Sequence, residues 1–156
     1  SGINHGDNSS VSVHYSGTLG AVFEACMKEV PAIGFSVRST APDCDFSPYE
    51  QTILDIASLA MKKDFPRDVC LNVNFPIVEK LRGVRVCRLA RGNWVEEWIG
   101  ADDADTFRLT GHFVNLEPEA DDTDDWVLCH GMAAVTPLKL DMTHYPTIPL
   151  LKELES

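Results

Sequence analysis

Ser1-Gly2-Ile3-Asn4-His5-Gly6-Asp7-Asn8 opens the chain, and Tyr15-Ser16-Gly17-Thr18-Leu19-Gly20 follows a few residues later. Both stretches are rich in hydroxyl, carboxamide and glycine. The second runs straight into a helical pattern. Leu19, Val22, Phe23, Cys26, Met27 and Val30 recur at three- and four-residue steps, and Pro31 marks the predicted stop. Backbone N–H groups at a helix start, beside hydroxyls and carboxamides, form a site for an anion such as phosphate. Asn8 and Ser16, with the amides of Gly17 and Thr18, are the candidate cradle, although Ser16 and Thr18 also read as helix caps. Gly17 and Gly20 read as places where the backbone comes close to a ligand or a strand. The chain opens inside this site, without an initiator Met or a preceding strand. That start reads as a cut.

Working outward, Ala32–Val37 is a short apolar run of strand length, consistent with a buried parallel strand. Ser47-Pro48-Tyr49-Glu50 reads as a capping box with Pro at the first helical position. Behind it Tyr49, Ile53, Ile56, Ala57, Ala60 and Met61 form an apolar stripe. Val69–Phe75 is the next strand. Its Asn72 and Asn74 share one face and are predicted to be buried amides tying loops together. Val84, Val86, Phe107, Leu109, Gly111 and Phe113 then alternate with polar residues, the pattern of half-exposed antiparallel strands, with Trp94–Ile99 between them. This section reads as a hairpin-like extension. Thr123 is a predicted N-cap with Asp124 and Asp125 in the first turn and Gly131 as the stop. Ala133–Leu138 is strand-like up to Pro137, and Leu150, Leu151 and Leu154 form a short amphipathic end able to dock on a neighbour.

Composition narrows the function. The chain has 156 residues, 44% of them apolar, enough for one domain with a sizeable core, 1–156. No apolar run approaches a membrane span. A formal charge of −11 disfavours a nucleic-acid polymer as partner but leaves a small phosphate ester open. The acids cluster at Asp102, Asp103 and Asp105 and again over 117–125, and read as solvated loops. The five cysteines are scattered without a C-x-x-C pair. Cys26 and Cys129 fall on helix faces, where a thiol is a small buried hydrophobe. A reduced, cytoplasmic protein is expected. None of His5, His14, His112, His130 and His144 lies in an H-x-x-x-H or H-E-x-x-H pattern.

The runs SGINHGDN and HYSGTLGA, followed in order by Pro31–Ser36, Leu71–Pro76, Thr123-Asp124, Val135–Leu138 and Leu140–Thr143, resemble the SurE (survival protein E) family of metal-dependent 5'/3'-nucleotidases. The resemblance covers nearly the whole chain. It implies the later strands of a Rossmann-like three-layer α/β/α sandwich, with an antiparallel β-hairpin arm (82–116) and a C-terminal segment (140–156). It implies phosphomonoesterase activity on nucleoside 5'- and 3'-monophosphates through metal-activated water, with Mg²⁺ or Mn²⁺ as cofactor. Asn4, a plain turn residue without the resemblance, becomes a metal ligand, and Asn8, Ser16, Gly17 and Thr18 bind the phosphate. A homodimer or tetramer through the arm and the C-terminal segment is implied as well. His144 stands one place early against the family pattern, with Tyr145 in the usual position, and stays outside the catalytic set. The family's N-D-D-G metal motif does not occur here. The N-terminal third is therefore expected to be missing, an open sheet edge to result, and the isolated chain to be inactive. The alternative is a non-catalytic anion-binding or oligomerisation module; a weaker one is an unrelated α/β protein that has converged on S-G-T at a helix start.

Overall fold

A computed structural model describes residues 1–62, 64–100 and 105–155. Strands β1 (Asn4–His5), β2 (Ile33–Val37) and β3 (Val69–Phe75) run parallel. Strand β4 (Val84–Val86) lies at the far edge, and β9 (Ala133–Lys139) fits between it and β3. The sheet order is β1-β2-β3-β9-β4, with β9 antiparallel to β3 and parallel to β4. Between β4 and β9 the chain builds antiparallel pairs. Strand β5 (Gly92–Val95) pairs with β8 (His112–Asn115), and β6 (Trp98–Gly100) with β7 (Phe107–Leu109).

Strand alternation decides which helix covers which face. Leu71, Val73 and Phe75 of β3 and Ala133 and Val135 of β9 pack with Tyr49, Ile56 and Ala60 of the segment leading into and forming α2 (Glu50–Ala60). Residues of opposite parity point the other way. Cys70 meets Val22 and Cys26 of α1 (Gly17–Met27), and Ala134 meets Val127 and Leu128 of α3 (Asp124–Cys129). Helices therefore lie on both faces: the fold is a three-layer α/β/α sandwich carrying an antiparallel hairpin arm. Helix α1 comes close to the sheet at Gly34, where a Cβ would stand 2.9 Å from Leu19 Cδ2. Gly17 and Gly20, read from sequence as places where the backbone nears a ligand or a strand, have no protein neighbour within 4 Å of such a Cβ, so the contact with the strand is not made there. Sequence could not see which partner of the helix–strand contact surrendered its side chain.

Several other expectations are corrected. Asn4 and His5, read as loop, form a parallel strand on β2. Val84 and Val86 belong to the main sheet, paired parallel with β9, so the antiparallel section starts at β5. Their alternation reported a half-exposed edge, which parallel and antiparallel strands share. Helix α1 ends at Met27, short of Pro31, because Glu29 turns to φ +58. Ser47 caps nothing. It donates to Asp45, and Ser47–Tyr49 is a 3₁₀ turn that buries Tyr49 so that its hydroxyl donates to the Pro76 carbonyl at 2.7 Å. Strand β9 continues past Pro137 because β4 covers only Ala133–Val135, leaving no ladder partner there for the missing N–H. Cys129 is exposed, not buried. Cys70 behaves as expected of a core thiol: burial pushes it up to about 12, so it stays protonated. Leu150, Leu151 and Leu154 are exposed, and Asp102 and Asp103 lie outside the described residues.

Candidate functional site

The parallel strands deliver three loops to one end of the sheet. The first runs from β1 through a 3₁₀ turn (Ser10–His14) into α1, the second begins at Arg38 after β2, and the third follows β3. In an open α/β sheet this carboxyl end is where ligands bind.

Carboxamides organise the first loop. The Asn74 side-chain oxygen accepts from the Asn8 backbone N–H at 2.7 Å, and Asn72 donates to the Asn8 carbonyl at 2.8 Å. Asn74 in turn donates to Asn72 at 3.1 Å. Both side chains are fully buried with a partner at each nitrogen and oxygen, so β3 grips the Asn8 peptide at its N–H and its carbonyl. The Asn8 side chain donates to Ser36 Oγ at 2.5 Å and to Asn4 Oδ1 at 3.1 Å, and Ser36 donates to the same Asn4 oxygen at 2.9 Å. Asn4 uses its amide on the carbonyls of His5 and Gly6. Structure thus joins Asn4 and Asn8 through Ser36, a residue that sequence reading passed over because its strand looked merely apolar.

Ser16 is the N-cap of α1: its hydroxyl accepts from the Leu19 N–H at 3.1 Å. The Gly17 and Thr18 amides, first in the helix, have no intrahelical acceptor. Asn8 and Ser16 line one cavity of about 420 Å³, closed on the far side by Trp94, Glu97, Leu109 and Thr110. The cap and the asparagine loop therefore face a shared space, whereas Gly17 and Thr18 are not among the residues that line it.

Carboxylates read as solvent loops turn out to brace this site. Arg38 Nη2 donates to Asp7 at 2.8 Å and to Asp125 at 2.7 Å, and Asn115 donates to Asp125 at 2.8 Å. Ser9 also donates to Asp7. Asp124 is fully buried and accepts from the N–H groups of Ser10 and Ala90, each at 2.8 Å, and of Asp125 at 2.9 Å. Burial pushes its carboxyl above the ordinary value, against the pull of those donors. Glu117 and Asp122 hold Arg88. The acidic 117–125 segment is thus largely a bracket. A charge run gives no signal of which carboxylates find amide donors, since those donors come from residues far away in sequence.

The described residues do not compose a divalent-cation site. Asn4 Oδ1 and Ser36 Oγ are neutral, and Asp7 is spent on Arg38 and Ser9. Among the described residues no group of three His, Cys, Asp or Glu is placed to hold a metal. Mg²⁺ or Mn²⁺ requires carboxylate in its shell.

A three-layer α/β/α sandwich that brings the Asn8 loop and the Ser16 cap to one cavity at the carboxyl end of its strands defines an α/β protein with a polar loop site. Comparison with known proteins narrows that class. The family model described as "Survival protein SurE" matches residues 1–96. The chain is 45% identical over 157 aligned residues to the 5'-nucleotidase SurE of Bacteroides fragilis, covering 99% of this chain and 62% of that protein. It is 49% identical to the 5'-nucleotidase SurE of Bacteroides thetaiotaomicron, covering 92% of this chain and 57% of the relative. The crystal structure of SurE from Aquifex aeolicus superposes with a TM-score of 0.81 at 29% identity, over 99% of this chain and 64% of that one. This chain belongs to the SurE family. It spans about three fifths of the length of these relatives.

Proposed function

We propose that the chain forms part of a metal-dependent phosphomonoesterase that hydrolyses nucleoside 5'- and 3'-monophosphates, with a nucleoside monophosphate as substrate. The observation that carries this reading is the cavity shared by Asn8 and Ser16, the N-cap of α1. The relatives' name, 5'-nucleotidase, supports it. A phosphoryl group leaving its ester oxygen spreads negative charge over its remaining oxygens, and fixed donors meet that charge without reorganising. The Gly17 and Thr18 amides behind the Ser16 cap are such donors; Asn8, whose two carboxamide hydrogens go to Asn4 and Ser36, can serve the phosphate only by releasing one of them, on a loop fixed by Asn72 and Asn74. Asn4 contributes a neutral oxygen toward Mg²⁺ or Mn²⁺, a cation that also requires carboxylate ligands. The assembled enzyme is cytoplasmic and a homodimer or tetramer, joined through the arm and the C-terminal segment.

Phosphate release from AMP with Mn²⁺ or Mg²⁺ tests the proposal, for this chain and for a version extended at its N-terminus by the family's preceding segment. Activity confined to the extended protein is expected. Turnover by the short chain would mean that its own aspartates hold the metal, and the account of Asn4 would fall. A second reading, an oligomerisation module without catalysis, is favoured by the exposed Trp98, Ile99, Phe107 and Leu109 of the β6–β7 pair. An extended protein that oligomerises in light scattering yet releases no phosphate would establish it.

A further inference from the structure

Resting on the nucleotide reading above, the geometry points to Trp94 and Tyr15 as the walls that receive the nucleoside base. Deepening that reading, they make the enzyme discriminate nucleotides from base-free sugar phosphates.

The cavity next to the Ser16 cap has about 420 Å³ of space, within the range of small-molecule sites. A phosphate and ribose need hydroxyls, amides and charge around them; a planar base needs aromatic surface. The side of the cavity formed by the first loop supplies the former through Asn8, Ser12 and Ser16. The opposite side brings Trp94 on β5, a residue 86 positions away from Asn8 in sequence.

Trp94 is fixed before any ligand arrives. Its indole N–H donates to Ser12 Oγ at 3.2 Å, and its ring meets Phe113 at a centroid distance of 6.3 Å and an interplanar angle of 62°. An indole pinned at its nitrogen and against a second ring loses little freedom on binding. It nevertheless remains 39% exposed, leaving aromatic surface open beside the cavity. The hydrogen bond to Ser12 matters for function as well as order: it ties the arm to the loop that carries Asn8 and Ser16. Base position and phosphate position are thereby coupled through one contact.

Tyr15 supplies the second aromatic surface. It immediately precedes the Ser16 cap, lines the same cavity and is 81% exposed. Packing does not account for an aromatic ring so exposed at the entrance to a helix. Thr110 closes the hairpin end of the cavity rigidly, its N–H and hydroxyl donating to the carbonyls of Glu97 and Glu96. Stacking on aromatic rings tolerates every base, since each has a π-face. The site therefore selects for the presence of a base more than for its identity.

The test uses the N-terminally extended protein and its Trp94→Ala, Trp94→Phe and Tyr15→Ala variants, with AMP and ribose 5-phosphate as paired substrates. In Trp94→Ala the ratio of KM for AMP to KM for ribose 5-phosphate is expected to rise roughly 10-fold, since base–aromatic stacking accounts for such factors. Trp94→Phe should restore most of the preference, and Tyr15→Ala should lower it without touching the core. Calorimetric titration with adenosine, which carries no phosphate, should show the same order of weakening. A ratio unmoved by both alanine variants would overturn the assignment. So would equal losses for the two substrates, which would make Trp94 a brace for the arm. Wild-type protein that hydrolyses neither ester would instead refute the nucleotidase reading itself.

Discussion

Asp124→Asn isolates the bracket that shapes the first loop. One carboxylate oxygen accepts from Ala90 and Asp125, the other from Ser10. A carboxamide keeps one oxygen only, so its least costly orientation retains the pair and turns NH₂ toward the Ser10 N–H. That sets the buried Ser10 N–H against the new NH₂, leaving donors on both groups unsatisfied at about 1–3 kcal/mol each, and weakens the two remaining bonds by removing their charge. Relief from burying a charge offsets part of this, for a net loss of about 2 kcal/mol. Ser10 sits at φ +51, a conformation that a non-glycine residue holds only under constraint, and its hydroxyl also donates to the Ala90 carbonyl. The loss should therefore concentrate there. For a domain of this size it corresponds to a fall in Tm of roughly 4–8 °C, read by calorimetry, together with faster hydrogen exchange at the Ser10 amide. A Tm within about 1 °C of wild type, with Ser10 protection unchanged, would refute the claim that Asp124 organises the loop.

Arg38→Ala leaves Asp7 and Asp125 facing each other around a lost cation; part exposure reduces the cost below that of a fully buried pair, to about 2 kcal/mol. Urea unfolding should show the deficit narrowing as salt rises, and a salt-independent deficit would count against the ionic bracket. At the C-terminal segment, the Thr143 and Tyr145 hydroxyls and the Thr143 N–H hold the Asp141 carboxyl down at about 2, against an ordinary value of 3.8. A depressed acid stabilises the folded form above its unfolded pKa and loses that contribution as pH falls through the folded one. The turn should therefore persist at pH 4 and loosen toward pH 2, and a carboxyl NMR titration with its midpoint near 4 would contradict this.

Residues close together in sequence were read well where local chemistry decides. Val69–Phe75 is recognisable as a strand from its run of β-formers, and Thr123 as a cap from its position before an acidic first turn; the Trp126 N–H does reach its hydroxyl. The shared face of Asn72 and Asn74 follows from a period of two. What they hold does not: the Asn8 peptide lies more than sixty residues away. Ser36 ended one of the runs that carry the family resemblance, but as one hydroxyl in an apolar strand it gave no sign of bridging Asn4 and Asn8. In the acidic 117–125 segment Glu119, Asp121 and Asp122 are exposed loop residues as read, while Asp124 and Asp125 are not, since composition counts charges and cannot count the donors that reach them.

Sequence alone thus determined most of the longer elements, the α/β class and the family, because period, caps and contiguous motifs are properties of neighbouring residues. Tertiary structure decided the rest. It placed β4 in the main sheet, made Asp124 and Arg38 the braces of the first loop, and swung Trp94 across to Ser12. Each of these depends on which distant donor, acceptor or ring occupies a given space, and only the packed sheet with its two layers of helices settles that.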